Sequence, residues 1–189
     1  MSDKVTDGLM NSPNDGDLVN RSKGGDHSAF EELLRKYQDR IFNLCRYMLH
    51  DNEEAQDAAQ DTFIKSYNSL KDFKPEVSFY TWLYRIAVNT CLDFRKKVRL
   101  VPSDDESAVD NLPYAQPSPE GLVQSKETGR LIETALQKIS KKFRTVIILK
   151  EIEGLSYEEI AEVLHISIGT VKSRISRARE ELRKLLQKK

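Results

Sequence analysis

The sequence predicts an all-α chain: two small helical domains joined by a flexible acidic linker, the second containing a helix-turn-helix. Three observations carry this. Apolar residues recur at intervals of three and four, the period of one helix face, and no stretch sustains the alternation of a strand. That period vanishes between about residues 99 and 121, where Pro102, Pro113, Pro117 and Pro119 stand with five acidic residues and, from Val101 to Gly121, no Lys or Arg. The 189 residues are 32% charged and 39% hydrophobic, a balance that suits two small cores rather than one large one.

Taken in order, residues 1–24 are rich in Asp, Asn, Ser and Gly and read as a flexible tail. A first domain spans 25–98. "SAFE" at Ser28 to Glu31 matches a capping box. Phe30, Leu33, Leu34, Tyr37, Ile41, Leu44 and Cys45 then follow at helical spacing as a buried stripe. A break at "HDNEEA" leads to a second helix carrying Ala55, Ala59, Phe63, Tyr67 and Leu70, with Glu53 and Glu54 in the first turn, where the helix dipole favours acids. "KDFKPEVS" interrupts it through Pro75. The third helix, "FYTWLYRIAVNTCLDFRKK", places Phe79, Leu83, Ile86 and Thr90 on one face and holds the only tryptophan of the chain. The linker covers 99–124 and the second domain 125–189, where Leu131, Ala135, Leu136 and Ile139, then Phe143, Val146, Ile147 and Leu149, mark two more helices.

The strongest motif is "LSYEEIAEVLHISIGTVKSRISRAREELRKLL", residues 155–186. Ser156 and Glu159 form a second capping box, "HIS" a turn, and Ser167 a cap for a helix whose stripe is Val171, Ile175, Ala178 and Leu182. Two short helices about a tight turn, the second one basic, describe a helix-turn-helix. With the stripe inward, Thr170, Ser173, Arg174 and Arg177 face outward near the amino end, which normally meets base edges. Arg bonds guanine twice, and Thr or Ser bonds bases or phosphate. Lys172, Arg179 and Arg183 lie to the side and suit phosphates, which position rather than specify.

Overall charge predicts no partner, because the formal net charge is +0. The zero hides an asymmetry: from Ile168 onward eight basic residues stand against two acidic ones. Cys45 and Cys91 lack metal-type spacing and read as buried free thiols. His27, His50 and His165 are scattered, Gly24-Gly25 is no phosphate loop, and no nucleophile has a recognisable base, so neither metal, cofactor nor catalysis is expected. No apolar run reaches the roughly 18 residues of a membrane span and no signal-peptide core opens the chain, so a cytoplasmic location is expected.

"DTFIKSYNSLKDFKPEVSFYTWLYRIAVNTCLDFRKK" (61–97) and "GLSYEEIAEVLHISIGTVKSRISRAREEL" (154–182) together resemble the second and fourth regions of extracytoplasmic-function (ECF) sigma factors, compact members of the sigma-70 family. The resemblance implies a protein that binds bacterial core RNA polymerase, directs it to promoters and helps to open them. It implies that "DAAQDTFIKSY" docks on the clamp helices of the largest subunit, with Asp57, Asp61, Phe63, Ile64 and Lys65 as contacts. Asp61 is equally placed to pair with Lys65 across one turn, and Phe63 to pack in the core. The second domain is implied to meet the flap of the second-largest subunit.

The same resemblance sends "KDFKPEVS" and the following helix to the minus-ten element. Unstacking a base costs a few kcal/mol, offset by pockets or aromatic faces that hold it. Lys71, Lys74, Ser78, Tyr80, Trp82, Tyr84, Arg85 and Asn89 are the candidates there, with Arg95, Lys96, Lys97 and Arg99 for phosphates. For Trp82 both base contact and core packing stay open. Thr170, Lys172, Ser173, Arg174, Arg177 and Arg179 are implied to read the minus-thirty-five element, which contains "AAC" for many relatives. Sequestration by an anti-sigma factor, often membrane-bound in this family and released by stress, is the implied control.

A regulator of the response-regulator output type shares the "GTVKSRI" wording but requires a receiver domain of alternating strands and helices, which residues 1–125 lack. A helical adaptor explains the helices without the basic face that begins at Thr170.

Overall fold

The computed structural model describes residues 15–100 and 123–187, with side chains for 15–96 and 131–187. All its regular elements are helical. They run α1 (Asp15–Lys23), α2 (His27–Leu49), α3 (Asn52–Ser69), a 3₁₀ turn (Leu70–Asp72), α4 (Phe79–Leu100), α5 (Val123–Lys138), α6 (Lys141–Ile147), a π-helical segment (Ile148–Ile152), α7 (Tyr157–Leu164) and α8 (Ile168–Leu186). No strand occurs among the described residues.

Two starting points differ from expectation. Residues 15–23 form α1 instead of a flexible tail, because Leu18 and Val19 bury an apolar pair that a compositional reading of a polar segment discounts. Residues 1–14 lie outside the described residues, as does the linker between 101 and 122. The cap of α2 is Asp26 rather than Ser28: the Ala29 amide donates to Asp26 Oδ1 at 3.2 Å, and the Ser28 hydroxyl donates to that same oxygen at 2.6 Å. These bonds, with Arg21, push the Asp26 carboxyl down to about 2. Aspartate wins the cap because α1 ends just before it in a Schellman stop. Gly25 takes φ 95°, its amide donates to Ser22 O, and the Asp26 amide donates to Arg21 O.

The first unit packs α2, α3 and α4 around Leu33, Tyr37, Ile41, Leu44, Ala55, Ala58, Phe79, Leu83 and Ala87, all buried. Cys45 and Cys91 are buried free thiols of α2 and α4, and a sulfur hydrogen bond with Cys91, together with burial, pushes the Cys45 thiol far up. The second unit packs Leu136, Ile139, Phe143, Val146, Ile160, Val163, Val171, Ile175 and Ala178. Buried Arg144 closes the end of α5, donating from Nε to Leu136 O at 2.7 Å and from a terminal nitrogen to Gln137 O at 2.6 Å. Helix ends leave orphan carbonyls, and a cation there satisfies both the hydrogen bonds and the dipole.

The two units meet where α4 lies against α7 and the end of the π segment. Tyr80 and Tyr84 are wholly buried in this contact; Tyr80 donates to the Glu153 carbonyl at 3.2 Å and Tyr84 to Glu153 Oε2 at 2.5 Å. Arg85 and Glu162 approach to 3.5 Å at its edge, and Arg46 of α2 pairs with Glu133 of α5 at 3.1 Å.

Candidate nucleic-acid interface and apolar groove

One face of the first unit is an open apolar groove of about 580 Å³ between α2 and α3. Phe30, Leu34 and Phe42 form one wall and Ala59, Phe63, Ile64 and Tyr67 the other. Spacings of three and four residues put the second set on one side of α3. Ile64 and Tyr67 remain 51% and 41% exposed, so this surface is apolar and uncovered. Phe63 and Ile64 are therefore brought together here, whereas exposed Asp57 and half-buried Asp61 lie outside the lining. Lys65 turns the other way: its ammonium donates to Thr90 Oγ1 of α4 at 3.1 Å, not to Asp61. Phe42 was absent from the sequence-based candidates. Its signal was available, since it falls off the buried stripe of α2 and yet is aromatic.

Lys71 in the 3₁₀ turn and Lys74 in the segment that leads to α4 are exposed. Ser78 is already engaged as the cap of α4: its hydroxyl accepts from the Thr81 amide at 3.1 Å and lies 2.8 Å from Thr81 Oγ1. Half-buried Trp82 packs on Phe73 and Phe79 at ring distances of 5.1 and 5.6 Å, so it serves as a wall of an aromatic cluster. Asn89 is exposed, Arg95 is half-buried, and Lys96 pairs with Asp93 at 3.2 Å. The side chains of Lys97 and Arg99 lie outside the described residues.

Tyr80 and Tyr84 depart from the expected base contact. Both are at 0% exposure under the second unit, because helical spacing turns them onto Glu153 rather than outward with Trp82. Burial raises both phenols. Burial also raises the Glu153 carboxyl, against the lowering effects of the Tyr84 hydrogen bond and the Arg40 charge. Arg85, half-buried, is likewise drawn toward Glu162 of α7.

In the second unit the local signals and the geometry agree. Both arms of the capping box of α7 are present, at 2.7 Å from the Ser156 amide to Glu159 and 3.1 Å from the Glu159 amide to Ser156. His165 ends α7 in the left-handed region at φ 51°, and Ser167 caps α8 by accepting from the Thr170 amide at 3.2 Å. Val171, Ile175 and Ala178 are buried as expected, leaving Lys172, Ser173 and Arg177 exposed and Thr170 and Arg174 half-buried. Among the described residues no carboxylate pairs with Lys172, Arg174 or Arg177, so their charge faces outward uncompensated. Arg179 differs: it is held by Glu151 at 2.6 Å.

Residues 33–100 match the family model of Sigma-70 region 2, and residues 129–182 that of Sigma-70 region 4. The class is therefore that of sigma-70-type transcription-initiation factors. The RNA polymerase sigma-H factor of Pseudomonas aeruginosa is 38% identical over 187 residues, covering 95% of this chain and 97% of the relative. The ECF RNA polymerase sigma factor SigW of Bacillus subtilis is 42% identical over 177 residues, covering 89% and 95%. Among solved structures, CnrH in complex with the cytosolic domain of CnrY gives a TM-score of 0.70 at 30% identity, covering 92% of this chain and 97% of that one. RpoE of Bartonella quintana, in complex with the anti-sigma factor NepR, gives 0.68 at 28% identity, covering 84% and 97%. The chain belongs to the ECF sigma factors. Its function is to bind core RNA polymerase, direct it to promoters and assist their opening.

Proposed function

We infer that the tasks of a sigma factor are divided among three surfaces of this chain. The groove between α2 and α3 docks a polymerase helix, with Phe63, Ile64, Tyr67 and Phe42 as apolar anchors and Asp57 and Asp61 at its border. The uncovered apolar face of Ile64 and Tyr67 supports this, since exposed apolar patches in polar surroundings mark interaction sites. Lys71, Lys74, Trp82 and Asn89 face the minus-ten element, and Arg95 and Lys96 its backbone. Thr170, Lys172, Ser173, Arg174 and Arg177 face the minus-thirty-five element, while Arg179 ties α8 to the π-helical segment through Glu151.

The observation that carries this reading is the pairing of two matched regions, in order, on one chain whose second unit presents unpaired cations on α8. A conventional regulator needs the second and has no use for the groove. We further propose that the protein acts in the cytoplasm, where polymerase and DNA are, without chemistry of its own. An anti-sigma factor is its natural partner, as for RpoE of Bartonella quintana, and closure of α4 against α7 is the form such a partner would hold.

Run-off transcription with purified core polymerase and a pool of promoters tests the proposal. Initiation that depends on this protein and maps to two upstream elements supports it. DNA binding by the protein without any initiation would make it a regulator of another kind.

A further inference from the structure

The chain between the 3₁₀ turn and α4 is hydrogen-bonded to the neighbouring elements at its two ends. At the far end Ser78 caps α4 and its carbonyl accepts from the Trp82 amide at 3.1 Å. At the near end the Phe73 amide donates to Leu70 O at 3.1 Å. Between these ends Pro75 and Glu76 form an exposed turn, and half-buried Val77 packs against the core. From the end of α1 the Lys23 ammonium donates to the Phe73 carbonyl at 2.5 Å and sits 5.4 Å from the centre of the Phe73 ring. That ring is itself packed on Phe79 and Trp82.

Lys23 is placed for this by its own helix. Leu18 and Val19 bury α1 against the first unit, and the Schellman stop at Gly25 fixes the last turn in which Lys23 stands. Asp15 adds a second anchor through Lys36 and Tyr37, each at 2.5 Å. Lys23 lies outside residues 33–100, the stretch matched to region 2.

We propose that Lys23 is a positioning residue for promoter recognition, pinning Phe73 so that residues 74–78 keep the shape that receives an unstacked base. This rests on the assignment of that loop to the minus-ten element. An exposed turn tied to the rest of the fold at few points must be ordered when a base binds, and ordering a backbone costs free energy at each residue. Fixing one end beforehand lowers that cost and narrows the set of bases that fit.

The test compares Lys23→Met, which keeps the stem and removes the donor, with Lys23→Arg, which restores a donor. Transcription is read with the full-length protein and core polymerase on promoters varied at each minus-ten position, and hydrogen–deuterium exchange is read on the free protein. Lys23→Met is expected to lower discrimination at one or two minus-ten positions by about fivefold to tenfold, the range one lost hydrogen bond gives, and Lys23→Arg to restore most of it. Exchange at residues 74–78 should rise in Lys23→Met while α2 is unchanged, and affinity for core polymerase should hold. An unaltered profile, or an equal loss on every promoter with a general rise in exchange that Lys23→Arg does not reverse, would overturn the proposal and leave Lys23 a fold contact. Failure of the wild-type protein to initiate anywhere would sink the sigma assignment and the promoter role with it, while the exchange arm would still show whether Lys23 holds the loop.

Discussion

Arg174 and Arg179 stand on the same helix five residues apart and have opposite fates. Arg179 meets Glu151 at 2.6 Å in an exposed pair, which partly neutralises its charge and turns it toward the π-helical segment. Arg174 has no carboxylate partner among the described residues and stands one turn from Thr170 toward the amino end of α8, the end proposed to meet base edges. Arg174→Ala should therefore cost about 1–3 kcal/mol of discrimination at particular upstream bases, read by binding to promoter variants. An equal weakening on every variant would make it a phosphate contact. The sequence named both arginines as candidates, because helical phase shows which face a residue takes but not which neighbour from another helix arrives there. Glu151 lies 28 residues away from Arg179, and only the fold brings it near.

Elements carry two further expectations. The turn between α7 and α8 places His165, an exposed non-glycine residue, at φ 51°. A β-branched residue there meets the left-handed penalty, so His165→Val should lower the stability of the second unit by about 1–2 kcal/mol. His165→Gly should not, and thermal melts of the two variants decide. On α3 the groove is lined by a residue that contributes little to folding, since Ile64 is 51% exposed. Ile64→Glu should leave stability within about 0.5 kcal/mol. It should weaken core polymerase binding about tenfold or more, as for a buried anchor of an interface. Unchanged binding would move the docking surface elsewhere. The helices from α2 onward, the cap at Ser156 and the inward stripe of α8 were legible in the sequence, because each depends on residues within a turn or two. α1 was not, since two apolar residues in a polar segment give no period until a core accepts them.

The whole molecule is closed, and the helix implied to meet the minus-ten element is partly covered by its own second domain. The hydrogen bonds of Tyr80 and Tyr84 to Glu153 lie at this contact. Tyr84→Phe leaves the buried carboxyl without its donor, which should weaken closure by about 1–3 kcal/mol and enlarge the particle measured by small-angle scattering. Closure should also respond to pH. Burial holds the Glu153 carboxyl above its ordinary value of 4.5, and parting the units returns it to water. The closed form thus binds the proton more tightly, so closure strengthens as pH falls toward 4.5 and weakens as pH rises through the raised value. Scattering at about pH 5 and about pH 8 should show the more compact particle at the lower pH, and Glu153→Gln should flatten the difference. A size independent of pH in the wild-type protein would remove Glu153 from the closure.

By itself, the sequence determined that this protein is helical and which face of α8 is basic. These follow from periodicity and capping, whose interactions span only a few residues. Only the tertiary structure decided that α1 buttresses the loop, that Lys65 and Arg179 are engaged, and that Tyr80 and Tyr84 are buried together. Each of those outcomes depends on a partner distant along the chain, and a helix face carries no mark of which other element will cover it.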